Sequence, residues 1–331
     1  MAWDEFKRGK GGKPDVLHFE KNLEQEIFAL HRDLVGKTYR HGPYTGFYIY
    51  DPKLRHIHKA TVRDRVLHHA IFKILNRAFE PTFIPTSFSC RIGKGTHKGV
   101  LAVEKMLRQV SQNYTQPCYA LKCDVRKFFD TVDHGILLAL LRRKIKDPDT
   151  MWLMEEIVES FAGDQSNLFT RRGIPIGNLT SQLFANVYMN EFDQFMKKEL
   201  KERYYARYTD DFVIVSESEK YLEGLIQPIQ KFLREQLALE LHPKKVEIRK
   251  YRHGVDFLGY VVLPHYRLMR KRTMQRVIRK LRDKVEAHKH GTIDRESLEQ
   301  TLQSYLGVLG HANTYRLKQD LHNQFWFWLS E

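Results

Sequence analysis

Arg207-Tyr208-Thr209-Asp210-Asp211-Phe212-Val213-Ile214-Val215-Ser216 sets two adjacent carboxylates between two runs of strand character, Tyr204 to Tyr208 before and Phe212 to Val215 after. Aromatic and β-branched runs separated by a short polar pair signal a β-hairpin. Asp210 and Asp211 are therefore expected together at a tight turn. Carboxylates so close repel and raise each other's pKa. A divalent cation removes the conflict, because hard oxygen ligands suit Mg²⁺ and the ion neutralises them. The turn is expected to be half of a metal site.

Working outward, the 331 residues are 42% hydrophobic and 12% aromatic, ample for a real core. The formal net charge is +15. A globular chain this basic points to a nucleic-acid partner, although a merely soluble basic surface has the same composition. Cys90, Cys118 and Cys123 form no C-x-x-C pair. That argues against a disulfide framework or a zinc site and fits a reducing cytosol. Met1 to Arg8 lacks the apolar core of a signal peptide, and no apolar run approaches membrane-spanning length. No membrane partner is expected.

Residues 7–13 read as a basic, flexible arm, and apolar spacing predicts a helix over 17–34. Phe47 to Tyr50 reads as a strand, followed by a basic segment from Lys53 to Lys59. A second helix begins near Arg63 and ends before Pro81. Ser87 to Lys98 is a glycine-rich basic loop entering a helix at 100–110; its spacing is not that of a P-loop. Cys118 to Val125 alternates like a strand with Asp124 near its end. Gly173 to Asn178 is a tight loop before a long helix, and an amphipathic helix covers 222–237. Phe257 to Val262 reads as a hydrophobic hairpin, and from Arg267 a basic helix opens a C-terminal helical unit.

One carboxylate on a strand and two on a neighbouring hairpin can surround a pair of Mg²⁺ ions. Paired metals activate an attacking hydroxyl and stabilise a leaving pyrophosphate in an in-line displacement. With these pieces in this order the chain resembles a reverse transcriptase of the right-hand polymerase fold. The matching segments are Asp51-Pro52-Lys53, Thr61 to Arg65, Ser87 to Gly93, Leu121 to Phe129, Gly173 to Gln182, Tyr208 to Asp211, Leu241 to Lys245 and Phe257 to Tyr260. Ile174-Pro175-Ile176-Gly177-Asn178-Leu179-Thr180-Ser181-Gln182 narrows the resemblance. Most reverse transcriptases carry Gln before that Gly, and most bacterial ones end the motif in Ser-Pro. Ile176 and Ser181-Gln182 are instead similar to the enzymes of diversity-generating retroelements, which miscopy template adenines. Thr209 departs from that family, which more often has a hydrophobic residue there.

The resemblance implies an α+β fold with fingers, an antiparallel palm sheet covered by helices, and a small helical thumb. Its expected division is 1–117 for the N-terminal extension and fingers, 118–263 for the palm with interspersed finger elements, and 264–331 for the thumb. It implies that Asp124, Asp210 and Asp211 are catalytic and, with Val125, hold two Mg²⁺ ions, for which Mn²⁺ can substitute. Phe129 falls at the steric gate that selects dNTPs. Lys53, Arg55, Arg63, Arg91, Ile176, Gly177, Gln182 and Lys245 are substrate-binding candidates; each isolated cation fits a solvated surface equally well, and Lys244 competes with Lys245. Phe257, Leu258, Gly259 and Tyr260 resemble a primer grip. Arg270, Lys271, Arg272, Arg276, Arg279 and Lys280 are expected to hold nucleic acid on the thumb. Implied partners are template RNA, a DNA primer and its cDNA product, dNTPs, and a small basic accessory variability protein. The implied location is the cytoplasm of a prokaryotic or phage-infected cell. Another bacterial reverse transcriptase, from a retron, defence system or group II intron, is the alternative.

Overall fold

The computed structural model describes residues 2–50, 54–163, 166 and 170–331. The chain opens with α1 (Ala2–Lys7), α2 (Pro14–Lys21) and α3 (Leu23–Val35). The single helix expected over 17–34 is broken at Asn22, whose backbone leaves helical geometry. Residues 7–13 are not a free arm. The Lys10 ammonium donates to the Phe6 carbonyl (3.0 Å) and lies over the Phe6 ring. Phe6 itself is buried in a small core with Val16, Phe19, Val62 and Val66. Next come β1 (Thr45–Tyr50) and β2 (Leu54–Lys59), an antiparallel ribbon paired from Thr45↔Lys59 to Tyr50↔Leu54. The basic segment therefore forms a strand, held by pairing along its whole length with β1. Then α4 (Val62–Phe79) starts at Thr61, which accepts from the Asp64 N–H, and α5 (Thr96–Val110) follows the glycine-rich loop.

The central sheet is built from β3 (Tyr119–Asp124) and three later strands. Between them lie α6 (Phe128–Thr131), α7 (His134–Lys144), α8 (Pro148–Glu159) and α9 (Leu179–Gln194). Asp133 and Asp147 cap α7 and α8 with their carboxylates, satisfying N–H groups that a helix start leaves unpaired. The chain then runs through β4 (Tyr205–Tyr208), β5 (Asp211–Ser216), α10 (Glu219–Leu237) and β6 (Glu247–Lys250). The sheet order is β4-β5-β3-β6, antiparallel throughout. Alternation sorts its side chains onto two cores. Leu121, Cys123, Phe212 and Ile214 face the helices α9 and α10, whereas Ala120, Ala206, Val213 and Val215 face the other way. A strand covered on both faces needs apolar residues at every position, and that accounts for the unbroken Phe212-Val213-Ile214-Val215 run. The free edge of β4 is covered by residues 86–88, whose backbone bonds to Arg207 on both sides.

A second, three-stranded sheet follows: β7 (Val255–Phe257), β8 (Tyr260–Leu263) and β9 (Tyr266–Met269). Leu258 and Gly259 join β7 to β8 with both residues left-handed (φ 49° and 90°), the geometry of a type I′ turn. The basic helix expected from Arg267 starts later. Pro264-His265, with His265 at φ 72°, turns the chain back into β9, and α11 (Lys271–Lys289) begins only after Arg270. α12 (Arg295–Leu309) and α13 (Tyr315–Ser330) complete the chain. Val277, Leu281, Leu298, Leu302 and Phe325 from these helices share one core with α5, β8 and the back of the central sheet. No helix among the described residues is long and apolar enough to cross a membrane.

Candidate active site

Tyr208 pairs with Asp211 and leaves Thr209 and Asp210 as a two-residue loop. Thr209 sits at φ 55°, a region that a β-branched residue rarely adopts. Three contacts hold it there. Arg207 Nη1 donates to the Thr209 carbonyl (2.9 Å), Thr209 Oγ1 donates to Ser89 Oγ (2.6 Å), and the Val125 N–H donates to the Asp210 carbonyl (3.2 Å). Arg207 is in turn fixed from behind. Its Nε and Nη2 form a fork on the Asp193 carboxylate of α9 (2.7 and 2.6 Å), and Nη2 also reaches Ser87 Oγ (3.1 Å). Tyr205 donates its hydroxyl to the same Asp193 (2.7 Å). The Arg207 and Asp193 side chains are both fully buried.

Asp124 ends β3 directly opposite Asp211 at the start of β5. Burial pushes the Asp210 carboxyl up to about 7, and the neighbouring Asp211 and Asp124 charges push the same way. Asp211 is raised first by burial and further by Asp124, to which it is hydrogen-bonded; Lys122 and Lys245 oppose the shift. Lys245 Nζ donates to Asp124 Oδ2 (2.6 Å). The loop carrying it is laced to the end of β3, because the His242 N–H bonds the Asp124 carbonyl and the Arg126 N–H bonds the Glu240 carbonyl (2.7 and 2.8 Å). Lys245, rather than Lys244, is thus the lysine that the fold brings to the carboxylates. The donors are all hard oxygens with more negative charge than they can carry unaided, which fits a divalent cation. The cage is not closed, since no three Asp, Glu, His or Cys side chains among the described residues already converge as a ligand shell. The Lys245 ammonium supplies the neighbouring positive charge.

Phe128 is buried in the core while Phe129 is half-buried beside it. The Phe129 carbonyl accepts from the Ile174 N–H (2.8 Å), tying that segment to the 173–178 loop. Ile176 is half-buried and its carbonyl accepts from the His58 N–H of β2 (3.0 Å). Gly177 has φ 116°, and a side chain there would meet Ile57 Cγ2 at 2.8 Å, so this glycine is required twice over. Gln182 is exposed in the first turns of α9.

Other candidates are engaged elsewhere. Arg91 is not brought to the carboxylates. Its Nε and Nη2 grip Glu80, and its Nη1 bonds the Ile84 and Ser87 carbonyls (2.7 and 2.8 Å), so it clamps the loop beneath Ser89. Arg63 pairs with Asp33, and Arg270 with Asp256. Arg55 is exposed on β2; Lys53 lies outside the described residues. Phe257 and Tyr260 are buried, with the Tyr260 hydroxyl near His97 Nε2 and the Val308 carbonyl (both 3.2 Å), so only Leu258 and Gly259 stand at the hairpin tip. On α11, Lys271, Arg272 and Arg279 are exposed and Arg276 and Lys280 half-buried. The Asp193–Arg207–Tyr205 network is nearly silent in the sequence. Its only trace there was a charged Arg inside an otherwise aromatic strand run.

A carboxylate-bearing hairpin on an antiparallel sheet backed by helices defines the palm of a right-hand polymerase. The chain belongs to the reverse transcriptase (RNA-dependent DNA polymerase) family, whose model matches residues 50–262. Among its relatives, protein YkfC of Escherichia coli (strain K12) is 27% identical over 290 residues, covering 77% of this chain and 74% of that protein. The group II intron-encoded protein LtrA of Lactococcus lactis subsp. cremoris is 23% identical over 319 residues; the match covers 76% of this chain but about half (51%) of LtrA. The solved structure of a Candida tropicalis telomerase in complex with a telomeric RNA fragment shares the fold at a TM-score of 0.54 and 10% identity, over 86% of this chain and 56% of that one.

Replacing Arg207 by Met leaves the Asp193 carboxylate buried with the Tyr205 hydroxyl but without its counter-charge, and should lower stability by about 3–5 kcal/mol in urea unfolding. The double variant Arg207→Met/Asp193→Leu should regain most of that stability, yet lose nucleotide incorporation because the Thr209 carbonyl has lost its donor. The raised Asp210 carboxyl makes a second prediction. Its proton stabilises the metal-free fold at acid pH, and this contribution is lost as pH rises through about 7. A cation binds the deprotonated form. The thermal stabilisation on adding Mg²⁺, followed by scanning fluorimetry, should therefore grow between about pH 6 and pH 8.

Proposed function

We propose that the protein is an RNA-templated DNA polymerase acting with two Mg²⁺ ions, with Mn²⁺ able to substitute. The juxtaposition of Asp124 with Asp210 and Asp211 carries this reading. These three side chains, with the Val125 backbone beside them, would hold the ions. When bound, paired ions lower the pKa of an attacking hydroxyl and stabilise the departing pyrophosphate. The chain's own residues orient and select. The Arg207–Asp193 pair sets the turn, Phe129 excludes a ribose 2′-hydroxyl, and Lys245 assists pyrophosphate departure. Exposed cations of α11 contact the duplex backbone, with a steep salt dependence. Residues 1–117, 118–263 and 264–331 serve as fingers, palm and thumb.

Within this class, we read the enzyme as the error-prone copier of a diversity-generating retroelement. It would turn a template-repeat RNA into adenine-mutated cDNA alongside a small basic accessory protein, in a prokaryotic or phage-infected cytoplasm. The supporting observation is Ile176, an apolar side chain in a loop whose backbone is otherwise pinned by His58 and Asn178. Loss of one hydrogen bond to the nascent pair is worth about 1 kcal/mol, on the order of tenfold in selectivity. A second reading, a bacterial reverse transcriptase of intron type, is favoured by the similarity to LtrA.

Primer extension on an RNA template tests the class: Mg²⁺-dependent dNTP incorporation is expected, and Asp210→Asn should abolish it. Sequencing the products tests the subtype. Wild-type protein should err at template adenines, and Ile176→Gln should reduce those errors by up to about tenfold. An unchanged error spectrum would reduce Ile176 to a packing residue.

A further inference from the structure

His134 is the first residue of α7, and its imidazole is buried. Its Nε2 lies 2.7 Å from the Gly173 carbonyl. A carbonyl only accepts, so this nitrogen carries the proton and donates it. Burial pulls the ring below its ordinary pKa and keeps it neutral. Nδ1 is therefore a bare acceptor, and it meets no partner among the described residues. A buried ring left half satisfied is costly, so the bond it does make needs a reason.

The reason lies in the peptide it grips. The Gly173 carbonyl and the Ile174 N–H belong to one peptide unit. Its N–H donates to the Phe129 carbonyl (2.8 Å) and its carbonyl accepts from His134, so the plane is pinned at both edges. Gly173 has φ 101°, and a side chain there would meet the Gly163 backbone at 3.2 Å, which confines the position to glycine. Glycine leaves the peptide a freedom to rotate that other residues lack, and His134 removes it. The ring stands on fixed ground. The Asp133 N–H donates to the Tyr188 hydroxyl of α9 (3.3 Å), and that hydroxyl donates to the Leu237 carbonyl of α10 (2.6 Å). On either side, the Gly173 N–H bonds the Val132 carbonyl and the His134 N–H bonds the Arg171 carbonyl (2.8 and 3.1 Å). These backbone bonds close the loop without the imidazole. What the imidazole adds is the angle of the peptide that leads to Ile176.

We infer that His134 is a positioning residue for nucleotide selection: it holds the Gly173–Ile174 peptide so that the Ile176 loop and the Phe129 ring keep one relative position. The inference rests on the polymerase reading, in which those two side chains face the incoming nucleotide, and adds the group that sets their spacing. His134 itself is buried and acts only through the loop.

The test is single-nucleotide extension of a primer on an RNA template by the full chain, with dNTP and rNTP titrated separately and thermal unfolding followed in parallel. His134→Phe fills the ring's space without a donor. His134→Asn keeps a polar group too short to reach the carbonyl. His134→Gln carries an amide N–H to about the reach of Nε2. In the first two variants, KM for dNTP should rise and the preference for dNTP over rNTP should fall, each by about tenfold, while kcat changes little because the carboxylates are untouched. His134→Gln should recover both. Wild-type KM and sugar preference in either of the first two variants, once shown to be folded, overturn the inference. Equal losses of kcat and kcat/KM, or no recovery in His134→Gln, overturn it as well, because they mark a role in folding alone. So does unfolding of His134→Phe and His134→Asn beside a folded His134→Gln. In each of these cases a wild-type chain that extends primers keeps the polymerase reading. A wild-type chain that incorporates no nucleotide sinks that reading, and this inference with it.

Discussion

The buried fork between Arg207 and Asp193 is the interaction on which the site depends. A β-branched residue at φ 55° and a carboxyl forced toward neutrality both sit in one two-residue loop. Neither is favourable by itself. They persist because Arg207, locked by Asp193 from one side, offers its remaining donor to the loop carbonyl. Removing two charges from water has a large desolvation cost, and a buried pair is weak grounds for stability as such. What the pair supplies is position: α9, β4 and the 86–89 segment are registered against one guanidinium.

How much of this was legible in the sequence follows from range. The hairpin, its carboxylates and the partner Asp124 were readable because turn chemistry and strand character are local. The long helices were readable for the same reason, and family resemblance supplied their arrangement. The β2 strand was missed because His and Arg have little strand signal until the β1 partner is present. The third strand, β9, is hidden in the sequence because the basic run from Arg267 masks Tyr266 to Met269, and the Pro264-His265 turn shows only once β8 and β9 are paired. The Asp193–Arg207 pair is fourteen residues apart in sequence and joins a helix to a strand, so no periodicity could announce it.

The cations divide in a way composition could not show. Arg207, Arg91, Arg63 and Arg270 are engaged by internal carboxylates, and the first two hold the loops on which the acidic turn rests. Arg55, Lys271, Arg272 and Arg279 remain on the surface. A count of +15 treats both kinds alike, although only the second kind is open to a polyanion.

The two-faced central sheet has a mechanical corollary. Val213 and Val215 on its back contribute to the same apolar core as Leu281, Leu302 and Phe325 of the C-terminal helices. One continuous apolar core, with α5 and the second sheet contributing to it, joins the strand that carries the acidic turn to the basic helices beyond it. Those helices can therefore move relative to the turn only by the sliding of packed side chains, as in a shear, and not by swinging freely about a flexible joint. Small displacements along a nucleic-acid backbone would then be passed to β5 as changes in packing.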